Sequence, residues 1–310
     1  MSDTRAKENT NWGRWGDGDE IGALNLITAE RRHRALGTPR TGKLYSLGLP
    51  VRSDTLPPVP YRVPSQRVTL TNQADMPMWN AIGEQMGVPS PGTGANEDVF
   101  ITSTHNGTHM DALCHVFHEG KMYNGFPADS ASTLAGSHFD GIEKIDGIAG
   151  RAVLLDVAAH VGVPWLEPRT RIDSDLLEAT RQAQGTTVET GDILLVRTGW
   201  MDFALSGERA DESYYGGYGQ AGLGLGAVDF IDSHDLAVVG ADNSAVECLP
   251  CDERYQSVHV ELLVRRGIHL LEHLDLRALA ADRVHEFFFV AAPLRIVGGS
   301  GSPINPIAIA

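Results

Sequence analysis

Cysteine is scarce in this chain. Three residues are too few for a disulfide framework, so a reducing, cytoplasmic setting is the expectation. Two of them, Cys248 and Cys251, form a C-x-x-C, but Pro250 lies between them and no second pair exists for a zinc ribbon. Both read as ordinary thiols. Basic residues are outnumbered, 25 against 40 acidic, for a net charge of −15. That balance argues against a nucleic-acid groove or an anionic membrane surface, both of which need clustered Lys and Arg. Long apolar runs are missing too. The opening MSDTRAKENTNW has no apolar stretch to act as a secretory signal, and FFFVAAPL (287–294) is far too short to cross a bilayer. No Ser/Gly- or Pro-rich linker and no 20–50-residue repeat divides the chain, so its 310 residues are expected to form a single domain.

What is present alternates between two periods. Runs rich in Val, Ile, Leu and Phe recur at 44–51, 67–71, 98–104, 151–158, 192–199, 236–242 and 286–294 and read as strands. Several are apolar almost without interruption, which suits strands covered on both faces. Helical patterns lie between them. One follows the cap candidate Thr28, and one starts at Ser174 with Asp175 near its positive end. Another runs through ERYQSVHVELLVRRG (253–267) and ends on Arg265, Arg266 and Gly267. Interleaved strands and helices imply an α/β fold with a mixed sheet flanked by helices. Residues 73–97 and 206–226, rich in Gly, Pro and Tyr, read as loops: lids, binding loops, or surface and subunit-contact loops.

The densest chemistry sits in STHNGTHMDALCH (103–115), which places His105, His109, Asp111 and His115 within eleven residues. On a helix, Asp111 and His115 would point away from His105 and His109. On a strand the four odd-numbered positions share a face. The expectation is a strand at 98–104 ending in a bend at Asn106-Gly107, where glycine permits close approach. Two imidazoles and a carboxylate form a catalytic-metal set with a position left open for water, suited to Zn²⁺ or Mn²⁺. His115 then has another job: a neutral imidazole that takes a proton and returns it to a leaving group. His118 breaks the odd-numbered set and reads as a surface or supporting residue.

A second clue is GIHLLEHLDL (267–276). On a short strand, Glu272 shares a face with Ile268 and Leu270, and a carboxylate buried among aliphatics needs a partner. A metal is the most economical one, and His259 on the preceding helix can reach the same region. A surface Glu272 and a hydrogen-bonded His259 are the alternatives.

These residues resemble the metal-dependent cyclase family that includes bacterial kynurenine formamidase and isatin hydrolase. Its signature, H-x-G-[TA]-H-x-D-x-P-x-H, matches HNGTHMDALCH at 105–115 except at Leu113, where the family has proline. GDILLVRTGW (191–200), VGADNSAV (239–246), HVELLVRRGIHLLEHLDL (259–276) and FFFVAAPLRIVGGSGSPINPIAI (287–309) are similar to family blocks, and NWGRWGDGDEIGALNLIT (11–28) to the start of the longer members.

The resemblance implies a single domain of the swivelling β/β/α type, with residues 1–27 as an N-terminal extension packed on it. It implies metal ligation by His105, His109 and Asp111, with Asp111 bridging to a second ion held by residues like His259 and Glu272. It makes His115 the general acid/base, and a homodimer or homotetramer the assembly. The implied activity is hydrolysis of the C–N bond of an aryl formamide or a cyclic amide by metal-bound hydroxide. A lactonase or lyase acting on a small carboxylic acid at the same site, and a non-catalytic metal-stabilised binding protein, are the alternatives.

Overall fold

The computed structural model of the protein describes residues 10–54, 56, 59, 61–88, 91–206 and 219–310. Its first strands in chain order are β1 (Leu44–Ser46), β2 (Gln66–Thr71), β3 (Glu97–Ile101), β4 (His109–Asp111), β5 (Ile148–Asp156) and β6 (Arg171–Ile172). They are followed by β7 (Ile193–Arg197), β8 (Gly222–Leu223), β9 (Val238–Ala241), β10 (His269–Glu272), β11 (Glu286–Ala291), β12 (Gly301–Pro303) and β13 (Ile307–Ile309). Nine of them form one mixed sheet in the order β1-β13-β11-β5-β7-β9-β10-β4-β12. The centre, β5-β7-β9-β10, is parallel and the flanks are antiparallel. The central strands are buried along nearly their whole length, as their unbroken Val, Ile and Leu content requires. The architecture is α/β, one domain around a large mixed sheet.

Chain connectivity shows that this sheet is curled. β12 is one edge, and β13, which follows after residues 304–306, lies second from the other edge. That link spans at most about 14 Å, whereas seven strand spacings laid flat would need about 33 Å. The edges must therefore approach each other. The chain after β1 closes the gap: the Leu47 N–H donates to the Pro306 carbonyl, and the Asp275 N–H donates to the Leu47 carbonyl, both at 2.8 Å.

Helices α1 (Ala29–Ala35), α2 (Met76–Gln85), α3 (Val157–Val161), α4 (Ser174–Gln184), α5 (Trp200–Leu205) and α6 (Val228–His234) accompany the strands, with α1 and α4 against β5 and α6 against α4. Thr28 caps α1 by accepting the Arg31 N–H, as its position in the sequence implies. The pattern at 253–267 becomes a short helix α7 (Ser257–His259) that passes into a π-helix, Val260–Arg266, closed by Gly267 at φ 64°. Residues 11–23 lie across this segment: the Asn11 N–H donates to the Arg265 carbonyl, Trp12 Nε1 to the Val264 carbonyl and the Ala23 N–H to the Gly267 carbonyl.

Two expectations are corrected. Residues 73–97 are not simply a loop: a 3-10 turn, Gln73–Asp75, leads into α2. Asn72 and Asp75 form a capping box there, and Pro77 stands in the first turn of α2, where its missing N–H costs nothing. The run read as a strand at 98–104 ends at Ile101, and it pairs with the run at 67–71. They form the separate β2–β3 ribbon, exposed on both faces, with Val68, Leu70, Phe100 and Ile101 in solvent. Of the second expected loop, residues 207–218 lie outside the described residues, while 222–223 form β8, parallel to β6.

Candidate metal centre

Register assembles the centre. β4 lies between β10 and β12, antiparallel to both, and His109 sits directly opposite Glu272. Asp111, two residues further along β4, falls on the same face. All three side chains are buried. His105 does not sit on the strand, contrary to the odd-numbered pattern. β3 ends at Ile101, and His105 arrives from the turn before β4, while His115 arrives from a 3-10 turn after it, Leu113–His115. Strand alternation thus covers only His109 and Asp111. Gly107 serves by its positive φ of 61° rather than by close approach, since a Cβ there would meet nothing within 4 Å. Close approach falls to Gly301 instead, where a Cβ would stand 2.6 Å from the His105 ring.

His259, at the start of the helix leading into β10, completes the group from the other side. Thus His105, His109, Asp111, His115, His259 and Glu272 converge, while His118 stays outside, half-buried and 3.9 Å from Glu119. Leu113, in place of the family proline, is fully buried in the main core. The turn it begins is closed by the His115 N–H donating to the Ala112 carbonyl at 3.0 Å and the Cys114 N–H to the Asp140 carbonyl at 3.1 Å.

Hydrogen bonds fix the imidazoles. His109 Nδ1 lies 2.8 Å from the Gly107 carbonyl, which can only accept, so Nδ1 carries a proton and Nε2 is the nitrogen turned inward. His273 Nδ1 donates to the same carbonyl at 3.0 Å, and His269 Nδ1 to the Asp111 carbonyl at 2.9 Å. His105 Nδ1 is 2.8 Å from Asp111 Oδ1, and its Nε2 is 3.0 Å from Ser300 Oγ.

His109 Nε2 and Asp111 Oδ2 are buried and have no hydrogen-bond partner among the described residues, an arrangement proteins rarely leave unexplained. His109 Nε2 stands 3.5 Å from Asp111 Oδ1 and 3.3 Å from Glu272 Oε2. His259 Nε2 stands 3.4 Å from Glu272 Oε1 and 3.9 Å from Asp111 Oδ2. Ligand atoms about 2.0–2.2 Å from a tetrahedral ion are separated by about 3.3–3.6 Å, so this donor set fits a divalent cation.

The electrostatics agree. Burial would raise Asp111, but His115, His105 and His109 hold its carboxyl well below the usual range. Burial and Asp111 would raise Glu272, yet His109 and His259 bring it down to about 2. Burial lowers His109, but Glu272 and Asp111 outweigh it and lift the ring to about 9. His259 rises well above its ordinary value against its own burial, through Glu247 and Glu272. Protons on two imidazoles balance two carboxylates, and a metal ion displaces such protons on binding. His115 differs: burial lowers it to about 3 despite Asp111, so its ring is neutral. It stacks on His105 with ring centroids 3.9 Å apart.

A cavity of about 260 Å³ opens onto His105, His115, His259 and Glu272, with Tyr61 and Tyr255 at its wall. The centre also contains residues that sequence reasoning missed. His273 lies beside His109 and Glu272, and Glu247 grips His259. His273 adjoins Glu272 in the chain and could have been suspected on that ground. Glu247 carries no motif or periodicity.

Residues 47–248, well over half the chain, match the family model described as Cyclase. Cyclase-like protein 3 of Oryza sativa subsp. japonica is 28% identical over 249 residues, 78% of each chain. The kynurenine formamidase of Bacillus cereus is 24% identical over 207 residues, 66% of this chain and 76% of that relative. Among solved structures, a novel cyclase superposes with a TM-score of 0.86 at 32% identity, covering 98% of this chain and 100% of the other. Isatin hydrolase A from Labrenzia aggregata, bound to benzyl benzoate, has a TM-score of 0.61 at 17% identity, covering 86% and 93%, a likeness of fold alone.

Proposed function

This chain belongs to the cyclase family, and from that premise we propose that it is a metal-dependent amidohydrolase cleaving the C–N bond of an aryl formamide or a cyclic amide. One observation carries the reading. Asp111 and Glu272 each turn one carboxylate oxygen toward His109 and the other toward His259. Two carboxylates set between two imidazoles suit divalent cations, and in this reading His105, His109, Asp111, His259 and Glu272 would hold one or two of them. Imidazole and carboxylate together suit Zn²⁺ or Mn²⁺. Bound there, the cation supplies Lewis acidity, polarising a carbonyl and acidifying water.

The chain's own groups do the rest. His115 lines the cavity, and in its neutral form the lone pair would accept a proton from the attacking water and return it to the leaving nitrogen. Tyr61 and Tyr255, 69% and 70% exposed at the cavity wall, offer ring faces to an aromatic substrate. The Bacillus cereus formamidase supports an amide as the bond cleaved. The open cavity argues against a closed structural site.

The test is metal analysis by mass spectrometry, followed by assays of formanilides, cyclic imides and lactones before and after chelation. One to two equivalents of metal are expected, with amide hydrolysis lost on chelation and restored by Zn²⁺ or Mn²⁺. Turnover that survives complete metal removal, or that is confined to lactones, overturns the proposal.

We also propose that the chain assembles as a homodimer or homotetramer. A two-stranded ribbon is marginal in water by itself, and the β2–β3 ribbon with α2 exposes Val68, Leu70, Met78, Met86 and Phe100. Light scattering should return the mass of two or four chains, and a monomer at assay concentrations would refute this.

A further inference from the structure

Glu247 lies on neither β4 nor β10, yet it is 1% exposed and stands against the centre. Both its oxygens are engaged. Oε1 pairs with His259 Nδ1, and Oε2 accepts the Val258 N–H at 3.1 Å. Both oxygens therefore face the segment that carries His259.

Its backbone is held just as firmly. The Cys248 N–H donates to the Leu223 carbonyl and the Leu223 N–H to the Val246 carbonyl, both at 2.9 Å. Gln220 Nε2 donates to the Glu247 carbonyl at 3.1 Å, and Ser244 Oγ donates to Gln220 Oε1 at 2.7 Å. Val246, fully buried and β-branched, is kept at φ 58°, a left-handed conformation such a residue adopts only under constraint. So much constraint around one side chain implies that its placement matters.

We propose that Glu247 is a positioning residue for the metal centre. By accepting the His259 Nδ1–H, it fixes the ring with Nε2 turned toward Asp111 and Glu272, where that nitrogen would bind an ion. A metal-ligating histidine commonly has its other nitrogen held by a carboxylate, and losing that support typically weakens metal binding about 10–100-fold. The inference rests on the proposed metal centre and adds the group that aims one of its ligands.

Zn²⁺ affinity of the folded protein, measured by competition with a chromophoric chelator, tests it, alongside the melting temperature of the metal-free protein. Glu247→Ala is expected to weaken the His259-side ion about 10–100-fold. Glu247→Gln, which keeps one acceptor oxygen for the imidazole, is expected to recover much of that loss and remains folded if the alanine variant does not. Wild-type Zn²⁺ affinity in a folded Glu247→Ala protein, a Glu247→Gln protein weakened by about tenfold or more, or a change in melting temperature alone, overturns the assignment. A wild-type protein that binds no Zn²⁺ would instead refute the metal centre itself, so the two failures are distinguishable.

Discussion

Replacing His109 with alanine is expected to abolish bound metal and turnover together. His109 lies at the crossing of the two carboxylates, 3.3 Å from Glu272 and 3.5 Å from Asp111, and its tautomer is fixed from behind by the Gly107 carbonyl. Its position is set by β4 pairing with Glu272 across the sheet. Without His109 the facing oxygens repel each other and lose the imidazole that brings Glu272 down to about 2. Turnover should fall at least about 10³-fold, since the barrier reduction depends on the cation's Lewis acidity. Removing one partner of a buried charge cluster also costs the metal-free protein about 3–5 kcal/mol. Circular dichroism must therefore show a folded variant before its metal content and rate are compared with wild type. A folded His109→Ala protein that keeps stoichiometric metal and wild-type rate would remove the basis of the mechanism.

His115→Ala is expected to separate the two properties. The residue stacks on His105 beside Asp111, and burial lowers its ring to about 3. Removing it should leave the metal content unchanged and lower turnover by about 10²–10⁴, the usual worth of a positioned acid/base. Substrates whose leaving group needs no proton should lose less than anilides, because His115 serves the departing nitrogen. If the metal stays and the rate falls by less than about tenfold, the proton carrier lies elsewhere. If the metal goes as well, His115 is a ligand.

Much of this centre was legible before any fold. HNGTHMD is dense in ligating side chains, and the strand period places His109 and Asp111 on one face. The same period, applied to Leu270 and Glu272, pointed to a buried carboxylate with a surface position as the alternative, and Glu272 is buried. The pattern was over-extended to His105 and His115, because Gly107 and the turn at 113–115 end the strand on either side. Helix α2 was hidden by Pro77 and the Asn and Gly residues around it, which read as loop signals although proline is at home in a first turn. Glu247 was invisible, since a lone glutamate in AVECLP has no period and no partner nearby in sequence.

By itself the sequence determined the chemical types of the site and the local geometry of each short segment, because side-chain identity and two-residue alternation act over a few ångströms of chain. Tertiary structure decided which segments meet. It set His109 opposite Glu272, curled the nine-stranded sheet so that β12 could flank β4, and brought Glu247 against His259. Those are pairings between residues far apart in the chain. Burial of the whole apolar set and completion of every backbone hydrogen bond select them, and no local pattern encodes either.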